Sequence, residues 1–293
     1  MRRWASSALV RGFLLSIWLT GMVVAASDND VGKPPPDKSG CNLFNPTPDG
    51  AMRELSPDRP DVTESPYTVD AGHFQLEMDF VTFTHDDADG VRTETWNVAP
   101  VNLKVGLLNN VDLQFIYDNY IHVHTEDRSG HTTTQSGFGD LTLRLKINLW
   151  GNDGGTTAFG LLPFVKIPTS TDDLGNNSVE GGMILPLAVK LPGDWDLGME
   201  VATSEMRNDN SPGHHAEFVQ TVTLDHRIVG KLSGYCEYFN DVSTTGGPGW
   251  IGTVDVGLEY LVTEDIQLDC GCNIGVTRAA DDVNVFTGIT VRF

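Results

Sequence analysis

From about residue 71 onward, apolar and polar residues alternate with a period of two. In 140–149, Leu141, Leu143, Leu145, Ile147 and Leu149 oppose Asp140, Thr142, Arg144, Lys146 and Asn148. In 266–277, Ile266, Leu268, Cys270, Cys272, Ile274 and Val276 oppose Gln267, Asp269, Asn273 and Thr277. The pattern recurs in 283–293, which ends on Phe293. A period of two predicts strands with one apolar and one polar face. About twelve such segments follow one another, 92–105, 109–124 and 132–149 among them, separated by Gly, Asn, Asp and Pro turns. Short connections (106–109, 150–155, 192–193, 230, 262–263) alternate with longer, more polar ones (85–91, 125–131, 169–177, 207–213, 243–249). Outer-membrane barrels have this rhythm, with short periplasmic turns and longer external loops. A soluble β-sandwich also alternates. Here, however, each segment reaches the roughly 9–11 residues that a tilted membrane strand needs. The apolar faces carry almost no charge, and Trp150, Trp195, Trp250 and Tyr260 stand near the expected membrane edges. The expectation is an all-β chain whose residues 71–293 form one transmembrane antiparallel β-barrel of about twelve strands in a bacterial outer membrane.

The N-terminal stretch is of a different kind. Arg2, Arg3 and Arg11 precede an apolar run from Gly12 to Val24, then Ala25, Ala26 and Ser27. That is the layout of a secretory signal over 1–26. Residues 27–57, with Pro34-Pro35-Pro36, read as a Pro-rich periplasmic linker. Residues 58–70 place Arg59, Asp61 and Glu64 around Pro60 and Pro66, which suits an ordered, non-strand arm tucked into the periplasmic mouth.

Charge narrows the function. The chain has 293 residues, 40 Asp+Glu, 19 Lys+Arg and a formal net charge of −21. Nucleic-acid binding needs clustered bases, so no such partner is expected. A polybasic membrane-surface role is disfavoured too. Charged residues make up 20% against 40% hydrophobic, which excludes a disordered acidic tail. Four cysteines are too few for a disulfide scaffold.

Some residues look familiar. The segment Asp58-Arg59-Pro60-Asp61-Val62-Thr63-Glu64-Ser65-Pro66, followed by Ala71-Gly72-His73-Phe74-Gln75-Leu76-Glu77, resembles the opening of a bacterial family of outer-membrane transporters. That family is labelled "meta-pathway of phenol degradation". Gly137-Phe138-Gly139-Asp140-Leu141, Leu161 to Thr169 and Thr263 to Asp269 are similar to it as well. The resemblance covers roughly 58–293. It implies an outer-membrane barrel and, by the family's name, uptake of aromatic compounds. It supplies no catalytic motif.

The polar faces would line the lumen. Candidate selectivity residues are Glu77, Asp79, Lys104, Asp112, Asp118, Arg144, Lys146, Lys166, Lys190, Glu200, Asp255, Glu259, Asp269 and Arg292. The bases gather in the middle strands. Either the charges pair across a filled lumen, or acids and bases face each other across a hydrated passage. The expected function is passive passage of small solutes. The expected partners are outer-membrane lipid, small-molecule solutes, and the barrel assembly machinery through the strand ending at Phe293. The alternative is a closed barrel with a structural or surface-binding role, and behind it a membrane-embedded lipid hydrolase. No cofactor or metal is expected, since His122-Val123-His124 with Asp127 and His131 matches no metal signature. No enzyme is expected either. His73, His122 and His124 read as inward, His214-His215 as solvated loop histidines and Ser178 as a loop edge, so no Ser–His pair shares an outer face.

Overall fold

The computed structural model describes residues 37–208, 212–245 and 250–293. The expected signal (1–26) and the first part of the expected linker lie outside these residues.

Fifteen strands form one antiparallel sheet: β1 (Phe74–Ala88), β2 (Val91–Val98), β3 (Val101–Leu108), β4 (Val111–Tyr117), β5 (Tyr120–Asp127), β6 (Thr132–Gly137), β7 (Leu141–Trp150), β8 (Thr157–Ile167), β9 (Glu180–Leu191), β10 (Trp195–Arg207), β11 (His214–Val229), β12 (Leu232–Ser243), β13 (Ile251–Thr263), β14 (Ile266–Gly275) and β15 (Val283–Arg292). Pairing of β15 with β1, from Gln75↔Arg292 to His85↔Val283, closes the sheet into a barrel. Closure leaves no edge in the membrane, where an unpaired backbone polar group is costly. The wall has twelve crossings, because β2 with β3, β4 with β5, and β6 with β7 are each one crossing broken in two.

The three breaks lie side by side. Ala99 has φ +55 and is followed by Pro100, which has no N–H to give the ladder. Asn119 donates its side-chain amide to the Ala99 carbonyl, and Asn97 donates to Asp118 Oδ1 at 2.7 Å. Gly139 N–H donates to the Asp118 carbonyl at 3.0 Å. In β1 a bulge between Asp79 and Val81 sits at the same level. Each break shifts the alternation by one residue, so inward and outward positions exchange. His122 pairs with Trp96, and His124 with Glu94, on the outer face. This corrects the inward reading of His122 and His124.

External to the breaks, β6 pairs with β5 and, among the described residues, with no strand on its other side. The loop between β8 and β9 covers it instead: Ser136 N–H donates to Asp172 Oδ2 at 2.9 Å, and Phe138 N–H to Thr171 Oγ1 at 3.0 Å.

The outer surface is apolar. Leu224, Tyr238, Val256, Leu258, Leu268 and Val285 are exposed, as lipid-facing residues should be. The buried set is largely polar and charged, the reverse of a water-soluble core.

Residues 37–57 differ from the linker expectation. They pack at the periplasmic mouth around a single 3-10 turn, Asp49–Ala51. Two bases hold them there. Lys38 pairs with Asp70 (3.2 Å) and Asp153 (2.9 Å), and Arg53 with Asp153 (3.0 Å). Composition alone could not show this, because both anchors' partners are distant in sequence. Where the chain turns back from the lumen, the Asp70 carbonyl rests on Gly106, and a Cβ at 106 would meet it at 2.0 Å. Gly106→Ala should therefore loosen the arm without unzipping the barrel. The check is faster proteolysis within 53–70 with the heat-dependent gel shift of the barrel retained.

Candidate functional site

The lumen is the site, and the arm 58–70 fills it. Each inward side chain stands at its strand's polar phase, and register brings sequence-distant charges together. Lys104 lies opposite Gln114 across β3 and β4, Gln114 opposite Arg144 across β4 and β7, and Asp112 opposite Lys146. These five form a mostly basic patch on one wall. Lys104, Gln114, Asp112 and Lys146 are buried.

The arm supplies the balancing charge. Asp58 lies between the two lysines, one oxygen on Lys104 and the other on Lys146. Lys104 also pairs with Glu77 of β1, and Arg144 pairs with Glu64. Burial pushes the Asp58 carboxyl up, but Lys104 and Lys146 overcome that and hold it far below the usual carboxylate range. Among the described residues, no cation lies within salt-bridge distance of Asp112. It accepts the Val69 N–H at 3.0 Å and lies beside Lys146.

Arg59 reaches past β1 to the strands beyond it. Its guanidinium takes both oxygens of Asp269 (2.6 and 2.8 Å) and also pairs with Asp79 of β1 at 2.5 Å. Burial alone would make Arg59 easier to deprotonate, but Asp269 and Asp79 raise its pKa above the ordinary value. The guanidinium lies against Gly288 of β15, where a Cβ would meet Nη2 at 2.2 Å. Only a residue without a side chain leaves that space.

The wall of β10 to β13 is acidic. Glu200, Glu237, Asp255 and Glu259 point inward, and among the described residues none pairs with Lys or Arg. Two of them hold the arm by its backbone: Glu200 accepts the Glu64 N–H at 2.8 Å, and Glu237 accepts the Val62 and Thr63 N–H groups at 2.7 and 2.8 Å. Thr63 and Thr221 hydroxyls meet at 2.6 Å. Asp61 lies in this acidic half. Burial, then Glu237 and Glu259, push its carboxyl well above the usual range. The arm thus bridges two unlike walls, by ion pairs on one side and by backbone hydrogen bonds on the other.

The remaining sequence candidates divide. Lys166 pairs with Glu180 at 2.5 Å, and Arg292 with Asp265 at 2.7 Å near the periplasmic end. Asp118 serves the break through Asn97. Lys190 is exposed at the periplasmic rim opposite Asp196. Sequence reading missed Asp58, Glu237 and Thr63 as members of the site. Asp58 was the hardest to see, because its partners lie 46 and 88 residues on.

One Ser–His contact lies at a loop rather than on a strand face. Ser178 Oγ lies 3.1 Å from His214 Nε2 at the external rim, beside a cavity of about 480 Å³ lined by Thr203, Glu205, His214 and Thr244. The loop between β8 and β9 brings them together. Nucleophilic catalysis also requires the base to be oriented by a third group. Among the described residues, no carboxylate hydrogen-bonds to His214. No group of three metal-ligating side chains converges among them either.

A family model described as "Putative MetA-pathway of phenol degradation" matches residues 57–293. Among solved structures, the chain is similar to the COG4313 outer membrane channel from Pseudomonas putida F1, at 13% identity and TM-score 0.57. That match covers 82% of this chain and 100% of that one. It is also matched to the NanC porin (9% identity, TM-score 0.47, 74% and 98% covered) and the CymD monoaromatic hydrocarbon channel (7%, 0.41, 75% and 87%). No curated protein matches it. These solved relatives are channels and porins rather than enzymes.

The charges on the arm give a pH dependence with a definite sign. Burial pushes Glu64 up to about 7 from the usual 4.5; Arg144 pulls it down and Asp58 pushes it up further. A carboxyl with a raised folded pKa favours the seated arm while protonated, so seating is strongest below 4.5 and weakens as pH rises towards 7. Asp61 acts in the same direction, while Asp58, already ionised, is constant across this range. Protection of the arm from protease should fall between pH 5 and pH 8, and Glu64→Gln should flatten that dependence.

Proposed function

The chain belongs to the phenol-degradation family whose model it matches; from that premise we propose that it is an outer-membrane channel for passive uptake of small solutes, that the arm controls passage and that the solutes are small aromatic or other weakly polar organic compounds. The observation that carries this reading is the seating of the arm. It spans the lumen from Lys104 and Lys146 on one wall to Glu200 and Glu237 on the other. A solute path down the barrel has to pass or displace these contacts.

The mechanism is diffusion with selection by width and field. With the arm seated, its carboxylates neutralise the basic wall and the free width is small. With the arm withdrawn, the lumen of a twelve-stranded barrel opens, intermediate between packed eight-strand barrels and open porins. Acids on one wall and bases on the other then orient any dipolar solute. The family's description supports aromatic compounds as the cargo. The acidic excess of the wall formed by β10 to β13 supports a preference for cations in the residual ion current.

Planar-bilayer recording tests this. The intact protein should give small conductance steps with cation preference, and removal of 58–70 should enlarge them several-fold. Equal conductance with and without 58–70, in folded protein, would refute control by the arm.

A further inference from the structure

The Lys104–Lys146 pair is built to hold a carboxylate, and the carboxylate it holds is not part of the wall. We propose that this patch is a binding site for organic monocarboxylates, occupied in the resting channel by Asp58 as a tethered stand-in for the solute. The inference rests on the channel reading and adds carboxylated solutes to the weakly polar cargo proposed there.

The cradle takes both oxygens of its guest. Asp58 Oδ2 receives Lys104 Nζ and, at 3.5 Å, the Gln114 amide; Oδ1 receives Lys146 Nζ. Two ammonium groups and an amide around one planar carboxylate form a charge-assisted receptor. Its parts are positioned by strand register rather than by the arm. Lys104, Gln114 and Lys146 stand on β3, β4 and β7, which are neighbours in the sheet, and all three are buried. The fourth contact, Ser65 N–H to Asp58 Oδ1 at 3.0 Å, comes from the arm itself and would leave with it.

The charge balance points the same way. Around this patch the wall contributes three cations, Lys104, Lys146 and Arg144, against two acids, Glu77 and Asp112. Asp58 and Glu64 come from the arm. Withdrawing the arm leaves a positive excess on this wall, and like charges held close together repel one another. An incoming anion relieves that repulsion, so binding of a monocarboxylate and unseating of the arm favour each other. The facing wall of Glu200, Glu237, Asp255 and Glu259 repels an anion, so the carboxylate is confined to the basic side and the body of the solute projects across the lumen. Because Asp58 is tethered, it competes at an effective concentration on the order of millimolar or more. A free acid therefore binds the intact channel weakly, and removing the Asp58 charge exposes the site.

The test is calorimetric titration of the full-length, detergent-folded protein with benzoate, and with benzyl alcohol as the neutral control. Asp58→Asn should bind benzoate at least ten-fold more tightly than the unaltered chain. Adding Lys146→Gln should abolish that gain, and benzyl alcohol should respond to neither. A benzoate affinity unchanged by Asp58→Asn, or an equal gain for benzyl alcohol, overturns the proposal. Should Asp58→Asn not fold, Thr63→Cys with Asp58 intact, in a chain whose four cysteines are replaced by Ser, reports the same exchange, because position 63 is buried while the arm is seated. Benzoate, and not benzyl alcohol, should speed maleimide labelling at position 63, and equal rates with both overturn it. Binding is read without conduction, so the two claims fail separately. A silent bilayer with tight benzoate binding refutes the channel, whereas conduction without carboxylate preference refutes this site alone.

Discussion

Everything in the lumen depends on one constraint: charges taken out of water must find partners. Asp58 between Lys104 and Lys146 is the clearest case. A buried ion pair adds little net stability over an apolar pair, but breaking one leaves an uncompensated charge at a cost of about 3–5 kcal/mol. The arm is therefore held less by the strength of its contacts than by the penalty for leaving them. Arg59, shared by Asp269 and Asp79, imposes the same condition at β1 and β14. Such an arm is firmly seated yet replaceable, provided that something of the right charge takes its place.

The two walls hold the arm by different chemistry, and this gives the plug a direction. On the basic wall the arm contributes side-chain carboxylates. On the acidic wall it contributes backbone N–H groups to Glu200 and Glu237. Side-chain contacts respond to competing anions and to pH; backbone contacts respond to the shape of the arm around Pro60 and Pro66. The barrel itself need not change. Its closure through β15 and β1 keeps the wall rigid while the arm is exchanged.

Much of the barrel was legible in the sequence because a barrel writes its geometry into a period of two. Leu141 to Leu149 against Thr142 to Asn148 gives a strand, two faces and a lipid side at once. The twelve crossings and the alternation of short and long connections follow from the same pattern. The reading went wrong where that phase is reset. At Ala99–Pro100, Asp118–Asn119 and Phe138–Asp140 the inner and outer faces exchange, and so His122 and His124 lie outside. A proline was visible at only one of these three places. The lumen's charges were also legible, but their partners were not, because no local rule links Asp58 to Lys146. Residues 37–57 looked like linker because their two anchors, Lys38 and Arg53, act through carboxylates across the periplasmic mouth. Ser178 and His214 meet only because a loop folds back.

The central claim is that the arm must move for solute to pass. The most direct measurement locks it to the wall. Thr63 and Thr221 touch through their hydroxyls, so Thr63→Cys with Thr221→Cys places two thiols within disulfide reach, in a chain whose Cys41, Cys236, Cys270 and Cys272 are replaced by Ser. Solute uptake into liposomes carrying this protein is then compared before and after reduction. The account predicts little uptake with the disulfide formed and recovery on reduction. Equal uptake in the two states, with the crosslink verified, would contradict it.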